Sequence, residues 1–294
     1  MKAFVIAEHA EAATALCAGA RSLADEVVVA TVGAEAPADG IADKAYQVVV
    51  PEGFIADDAD ATLAAVADDA DVVIAEPTRH VKSIVGKLAA RKGASVITDA
   101  MSIEDGIATS MYFGGVGQIK RKAKGPAFFT ASAGTFSGLE ASGSNAGAEQ
   151  LAWVAPANAV KLVSSKPVEK SGVDLTKSDV VVAAGRGFAA KEDLQLARDL
   201  ADKIGAGLGC SRPLAEGVDW MPVETYIGVS GLMLSPKVYV AAGISGQMQH
   251  MVGANRSDVI FAINKDQNAP IFKQCDYGLV GDIKTVLPTL VAAL

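Results

Sequence analysis

Residues 238–282 read VYVAAGISGQMQHMVGANRSDVIFAINKDQNAPIFKQCDYGLVGD, and this stretch decides the fold. The run Val238-Tyr239-Val240 has the β-branched and aromatic character of a buried strand. Gly243-Ile244-Ser245-Gly246 is a turn, and the segment carrying Gln249 and His250 has the length of a helix. A second apolar run, Val259 to Ile263, ends in Asn264-Lys265-Asp266, so two strand ends carry polar groups outward. Glycine at a strand's end lets backbone approach a ligand, and the free N–H groups of a starting helix attract anions such as phosphate. The turn at Ser245-Gly246 therefore reads as a nucleotide cradle.

Upstream, Val180–Ala184 is a strand that runs into Gly185-Arg186-Gly187-Phe188-Ala189-Ala190 and a helix at Lys191–Ile204. Leu194, Ala197, Leu200, Ala201 and Ile204 form the helix's apolar stripe. Strand, G-x-G-x-x-A and helix make up the dinucleotide fingerprint, whose glycines admit a pyrophosphate. The next strand is expected at Gly205–Gly209 and leads into Cys210-Ser211-Arg212. An NAD unit would carry an acidic residue about 20 positions on, to hold the ribose hydroxyls. Ser211-Arg212 stands there instead, which disfavours NAD and leaves open an NADP 2′-phosphate or a flavin.

The N-terminal half alternates strand and helix: strands at Ala3–Ala7, Val27–Val32, Ala45–Val50 and Asp71–Ala75, helices at Glu11–Ala24 and Arg79–Arg91. This rhythm implies a parallel sheet. Short runs then follow without helices, Ala108–Phe113, Ala127–Ala131, Leu151–Val154 and Val160–Val163, and are expected to add antiparallel strands. The cluster Lys120-Arg121-Lys122-Ala123-Lys124 could contact an acidic partner but reads better as a solvated hairpin end. With 294 residues, two domains are expected. The polar segment Ser164–Ser178 supplies the boundary, giving an α/β domain with added antiparallel strands at 1–168 and a ligand-binding domain at 169–294.

Half the residues are hydrophobic and 20% charged, enough for a core and too few charges for a disordered chain. A formal net charge of -8 argues against a general nucleic-acid binder. Cys17, Cys210 and Cys275 are scattered without a CxxC pair, which supports neither a disulfide framework nor a zinc site. MKAFVIAEH reads as a strand and not as a signal or transit peptide, and no apolar run reaches the roughly 18–20 residues of a membrane span. A cytoplasmic location is the expectation.

GRGF, CSRP, the glycine loop Ile227-Gly228-Val229-Ser230-Gly231, SGQMQH, INKD and DYGLVGD occur in one order between Gly185 and Asp282. As a set this resembles the FAD-binding domain of electron-transfer flavoprotein α-subunits. The first half is similar mainly through its βα pattern, EPTRHVKSIVGKLAARKGASVITD and the segment at Gly134-Thr135-Phe136. The resemblance implies two Rossmann-like or flavodoxin-like α/β domains, the C-terminal one built on a parallel sheet. It also implies that Arg186, Ser211, Arg212, Ser230, Gly231, Ser245, Gly246, Gln249, His250, Asn264 and Asp282 contact FAD. In that picture Ser245 and the Gly246 backbone donate to phosphate, and Asn264 and Asp282 recognise the adenosine end. Arg212 lies beside the isoalloxazine, His250 approaches its pyrimidine carbonyl and Ser230 a ring nitrogen, all raising the flavin potential.

The partners implied by the resemblance are a β-subunit, which contacts the 1–168 domain and carries its own AMP or second FAD, and an acyl-CoA dehydrogenase-type electron donor. The chain is then a redox carrier and not a stand-alone enzyme, in a pair that is in some versions electron-bifurcating. Many α-subunits have Gln and Thr where Val229 and Ser230 stand, so an amide donor is lost and a hydroxyl kept. The IGVSGLML version is similar to α-subunits of carnitine and related acyl-CoA metabolism in anaerobes. An NADP-dependent oxidoreductase and a nucleotide-binding sensor module remain the alternatives that the fingerprint alone allows.

Overall fold

The computed structural model describes residues 1–113, 117–123, 125–166 and 174–294. Two compact α/β units account for almost all of them, residues 1–112 with 117–166 and residues 174–294. Lys124 of the basic cluster and positions 167–173 of the expected boundary lie outside the described residues.

In the first unit the strands are β1 (Lys2–Ala7), β2 (Glu26–Val32), β3 (Lys44–Val48), β4 (Val72–Ala75), β5 (Val96–Glu104), β6 (Ile107–Tyr112), β7 (Gly117–Lys122), β8 (Ala127–Ala131) and β9 (Glu149–Gln150). Its helices are α1 (Ala10–Arg21), the single turn α2 (Asp60–Leu63) and α3 (Arg79–Arg91). The sheet order is β7-β6-β5-β8-β4-β1-β2-β3-β9. β1 is almost wholly apolar and is buried on both faces, as a central parallel strand must be. α3 starts where the Thr78 side chain accepts the Val81 N–H, and it turns Val81, Ile84, Val85, Leu88 and Ala89 inward. Phe136 lies against Gly19 of α1 so closely that a Cβ there would sit 2.4 Å from its ring.

Four expectations are corrected here. Ala127–Ala131 is a strand, but it pairs parallel with both β4 and β5, because all five of its residues are buried and need cover on each face. The antiparallel addition is β5-β6-β7, which includes a strand, β5, that the sequence did not signal. Residues 120–122 lie in the edge strand β7 and not at a hairpin end, and their charge protects that edge from pairing. Leu151–Val154 and Val160–Val163 form no strand; Val154, Val160, Leu162 and Val163 are exposed.

Residues 151–166 are instead tied down by individual contacts. Leu151 N–H donates to the Gln47 carbonyl, Val154 N–H to the Thr62 hydroxyl and Leu162 N–H to the Gly53 carbonyl. Asp58, 2% exposed, accepts the Val160 N–H at 2.8 Å and pairs with Lys87 at 2.9 Å. Burial opposes the Asp58 charge, but the Val160 N–H and Lys87 outweigh it and hold the carboxyl below its ordinary value. Asp58→Ala is expected to destabilise the unit by about 2 kcal/mol, less than a fully buried pair because Lys87 is partly exposed. The contribution is present above a pH of about 4 and is lost as pH falls through the depressed native value. Melting curves of the wild type and Asp58→Ala should therefore converge in acid, and a constant gap down to pH 2 would contradict the assignment.

The second unit has strands β10 (Val180–Ala184), β11 (Gly207–Ser211), β12 (Tyr226–Ile227), β13 (Val238–Ala242), β14 (Val259–Asn264) and β15 (Tyr277–Val280). Its helices are α4 (Leu194–Ile204), the single turn α5 (Met248–Met251) and α6 (Ile283–Ala293). All strands are parallel in the order β12-β11-β10-β13-β14-β15, the doubly wound arrangement 3-2-1-4-5-6. Two local expectations shift. Gly205 is the left-handed C-cap of α4, φ 65°, so the strand starts at Gly207. The segment carrying Gln249 and His250 forms one helical turn and not a full helix, after which turns lead to β14.

Candidate functional site

The strand order reverses between β10 and β13, and the crevice outside their C-terminal ends is where an open α/β sheet holds a ligand. A cleft of about 1090 Å³ lies there. Arg186 follows β10, Ser211 ends β11 with Arg212 just beyond it, Ser230 follows β12, Ser245 follows β13 and Asn264 ends β14. Gln249, His250 and Asp282 complete the expected residues on its walls.

Gly231 and Gly246 do not line the cleft; they shape its supports. A Cβ on Gly246 (φ 84°) would lie 2.4 Å from the Ile271 backbone, so this turn is pressed against the loop after β14. The Ile271 N–H donates to the Ser245 carbonyl in the same place. Gly231 N–H closes a turn onto the Gly228 carbonyl, and the neighbouring Val229 N–H donates to the Gln249 carbonyl at 2.8 Å. The loop after β12 is thus fastened to the turn that carries His250.

The fingerprint glycines do something other than the pattern suggests. Gly185 N–H donates to the Ala242 carbonyl and Gly187 N–H to the Gly243 carbonyl, at 2.8 and 2.9 Å. A Cβ on Gly185 would sit 2.3 Å from the Gly243 oxygen. Their smallness lets two backbone turns cross at the switch point. The helix start is also engaged internally, since the Asp193 carboxylate accepts the Ala190 N–H at 3.2 Å.

Charge on the walls comes from Arg186, Arg212, Lys265 and Lys284, set against Glu216, Asp266 and Asp282. Arg212 Nε donates to Glu216 Oε2 at 2.5 Å, and that contact raises the guanidinium's pKa. Asn264 donates to the Ile244 carbonyl and accepts the Asp266 N–H. One Asp282 oxygen accepts the Lys284 N–H and caps α6. Both residues therefore reach the cleft from positions fixed by the chain itself. Glu216, Lys284 and Tyr239 were not anticipated. Glu216 stands four residues beyond Arg212, a spacing that would have pointed to it; the spacing of Lys284 from Asp282 carries no such signal.

Two polar atoms beside the cleft are buried and unpartnered, Ser211 Oγ and His250 Nδ1. His250 is 8% exposed, and its Nε2 lies 2.7 Å from the Tyr239 hydroxyl. Burial pushes the imidazole down to about 4 from 6.5, opposed by the Ile227 backbone. A histidine depressed in the native state is protonated first when unfolded, so it makes stability rise with pH between about 4 and 6.5. Urea titrations across that window should show the slope in the wild type and lose most of it in His250→Asn. Equal slopes would mean that the native imidazole titrates normally.

The first unit has the corresponding crevice between β1 and β4, but its own chain fills it. Glu76, at the end of β4, accepts the Glu8 and His9 N–H groups at 2.8 and 3.2 Å and meets His9 Nδ1 at 2.7 Å. Glu35 accepts the Ala10 N–H at 2.7 Å. Two carboxylates thus take the N-terminus of α1, where an anionic ligand would otherwise be attracted.

Sequence comparison with known proteins agrees with this division. Residues 3–157 match the electron transfer flavoprotein domain, and residues 174–255 match the electron transfer flavoprotein FAD-binding domain. Protein FixB of Escherichia coli O7:K1 (strain IAI39 / ExPEC) is 46% identical over 229 residues, 76% of this chain and 73% of FixB; FixB of the K12 strain DH10B gives the same figures. Among solved structures, benzoylformate decarboxylase from Polynucleobacter necessarius aligns with 99% of this chain and 58% of its own, at 12% identity and a TM-score of 0.28. That likeness bears on neither fold nor function.

Proposed function

The chain belongs to the electron-transfer flavoprotein α-subunit family, and on that premise we propose that the cleft of the second unit seats its FAD. Arg186, Ser211, Arg212, Ser230, Ser245, Gln249, His250, Asn264 and Asp282 hold the cofactor, with Gly231 and Gly246 shaping the turns behind them. What carries this reading is the convergence of five strand ends on one open cleft, beside which two polar atoms of its lining residues are buried and unpartnered. Those atoms fit a ligand rich in hydrogen-bonding groups, since a buried polar atom without a partner costs about 1–3 kcal/mol. Arg186, Arg212, Lys265 and Lys284 fit its pyrophosphate and a ring that gains negative charge.

When bound, FAD supplies the redox chemistry, taking up electrons from one protein and passing them to another. The chain binds and orients it, holds Arg212 as a fixed cation on the wall, and supplies neutral donors from Ser211, Ser230 and His250. No nucleophile or general base is needed, which makes the subunit a carrier and not a stand-alone enzyme. No helix among the described residues is long and apolar enough to cross a membrane. Pairing with a β-subunit, an acyl-CoA dehydrogenase-type donor, a second redox carrier and a cytoplasmic location complete the proposal.

The test is to co-express the chain with a β-subunit, record the visible spectrum and reduce the pair stepwise. A yellow complex whose flavin is lost on combined substitution of Ser211 and Asn264 by alanine is expected. A folded, paired and colourless complex after incubation with FAD would overturn the reading, as would undiminished FAD binding in the double variant.

A further inference from the structure

Tyr239 lies at the centre of the second sheet, on β13, and is fully buried among Ile227, Leu234 and Ile260 of the same core. A tyrosine hydroxyl in such a place needs an acceptor, because a buried O–H left without one costs about 1–3 kcal/mol. Among the described residues its hydrogen-bond partner is His250 Nε2, at 2.7 Å. Burial raises the phenol's pKa well above its ordinary value, so the hydroxyl keeps its proton and donates it.

An imidazole that accepts at Nε2 and is neutral carries its single proton on Nδ1. The atom left without a partner in the structure is that same Nδ1. The Ile227 backbone works against the burial and favours the protonated ring, but Nδ1 makes no hydrogen bond. The ring itself is part of the cleft wall, whereas Tyr239 is not.

We propose that Tyr239 is a positioning residue that fixes His250 in the Nδ1–H form, so that this wall of the cleft offers a bound ring system a hydrogen-bond donor and not an acceptor. The edge recognised there is then a carbonyl or another acceptor, and it meets a neutral group. Arg212 remains the wall's source of permanent positive charge near the end of β11. The inference rests on the cleft being the cofactor's seat, but the proton's position can be read without any cofactor.

The experiment uses the full chain labelled with nitrogen-15 in its histidines. Long-range proton–nitrogen correlation at pH 7 separates the two neutral forms, and His250→Asn identifies the His250 signals among the three histidines. The wild type should show an unprotonated Nε2, and Tyr239→Phe should move His250 to the Nε2–H form or a mixture. A protonated Nε2 or a charged ring in the wild type would overturn the proposal, as would an unchanged ring in Tyr239→Phe.

FAD titration of the same variants paired with a β-subunit gives the second readout. Tyr239→Phe should bind about fivefold more weakly, the equivalent of one ordinary hydrogen bond of about 1 kcal/mol. His250→Asn should retain more affinity than His250→Gln, because the shorter amide places its N–H near the position of Nδ1. Equal FAD affinity in the wild type and Tyr239→Phe would remove the positioning role. A wild type that takes up no FAD would sink the cofactor reading and leave the tautomer result to decide the role of Tyr239.

Discussion

Alanine at Gly185 is expected to cost about 3 kcal/mol or more and to abolish FAD uptake. The added methyl would lie 2.3 Å from the Gly243 oxygen and 2.6 Å from both the Gly243 carbonyl carbon and Ile244 Cγ1. Two of these atoms are backbone of the turn that carries Ser245, and that backbone is held by the Gly187 N–H and by strand β13 itself. Ile244 Cγ1 could turn aside, but the two backbone atoms cannot. The turn must move, and the cleft is built from the two turns that would separate. Gly86→Ala is the matched control: this exposed glycine inside α3 has nothing within 4 Å of a new Cβ, so the change should stabilise by about 0.5–1 kcal/mol. Urea melts followed by tryptophan emission, with flavin absorbance read on the same samples, separate the two. A Gly185→Ala protein that melts and loads with FAD like the wild type would refute the crossing-turn account.

The elements that could be read from sequence are those whose burial leaves a periodic trace. β1, β10 and β13 are apolar on both faces because a central parallel strand is covered on both, and α3 and α4 carry one apolar stripe each. β5 escaped because it mixes Thr98, Asp99 and Ser102 into a strand with register shifts on either side of Ala100. Asp99 takes a left-handed backbone there, φ 53°, which no propensity anticipates. Leu151–Val154 has the composition of a strand, but its pairing with β3 ends at the Leu151 N–H and Val154 turns to the Thr62 hydroxyl, which composition does not encode.

The candidate site divides in the same way. Strand-end residues such as Ser211, Ser245 and Asn264 were legible because the chain places polar groups just where an apolar run stops. Tyr239 was hidden inside such a run. Its hydroxyl looks like one more aromatic edge until the fold brings His250, eleven residues away, to it. Gly185 and Gly187 matched a known fingerprint, yet their neighbour is Gly243 across the switch point, a pairing that one segment of sequence cannot display.

Arg212 and Glu216 should move the flavin's midpoint potential in opposite directions. Both side chains line the cleft, and Nε is held by the carboxylate, which leaves the two terminal nitrogens of the guanidinium for a ligand. A fixed positive charge on the wall favours any state in which the bound ring has gained electron density, and a fixed negative charge opposes it. Arg212→Ala removes the cation and is expected to lower the potential by about 60 mV or more, a tenfold change in a one-electron equilibrium. Glu216→Gln keeps the shape, removes the counter-charge and is expected to raise the potential by a smaller amount, because the carboxylate is exposed and screened. Potentiometric titration of the FAD-loaded pair at two salt concentrations measures both. Shifts of the same sign in the two variants, or none in Arg212→Ala at full FAD occupancy, would mean that the charge at the end of β11 does not act on the cofactor.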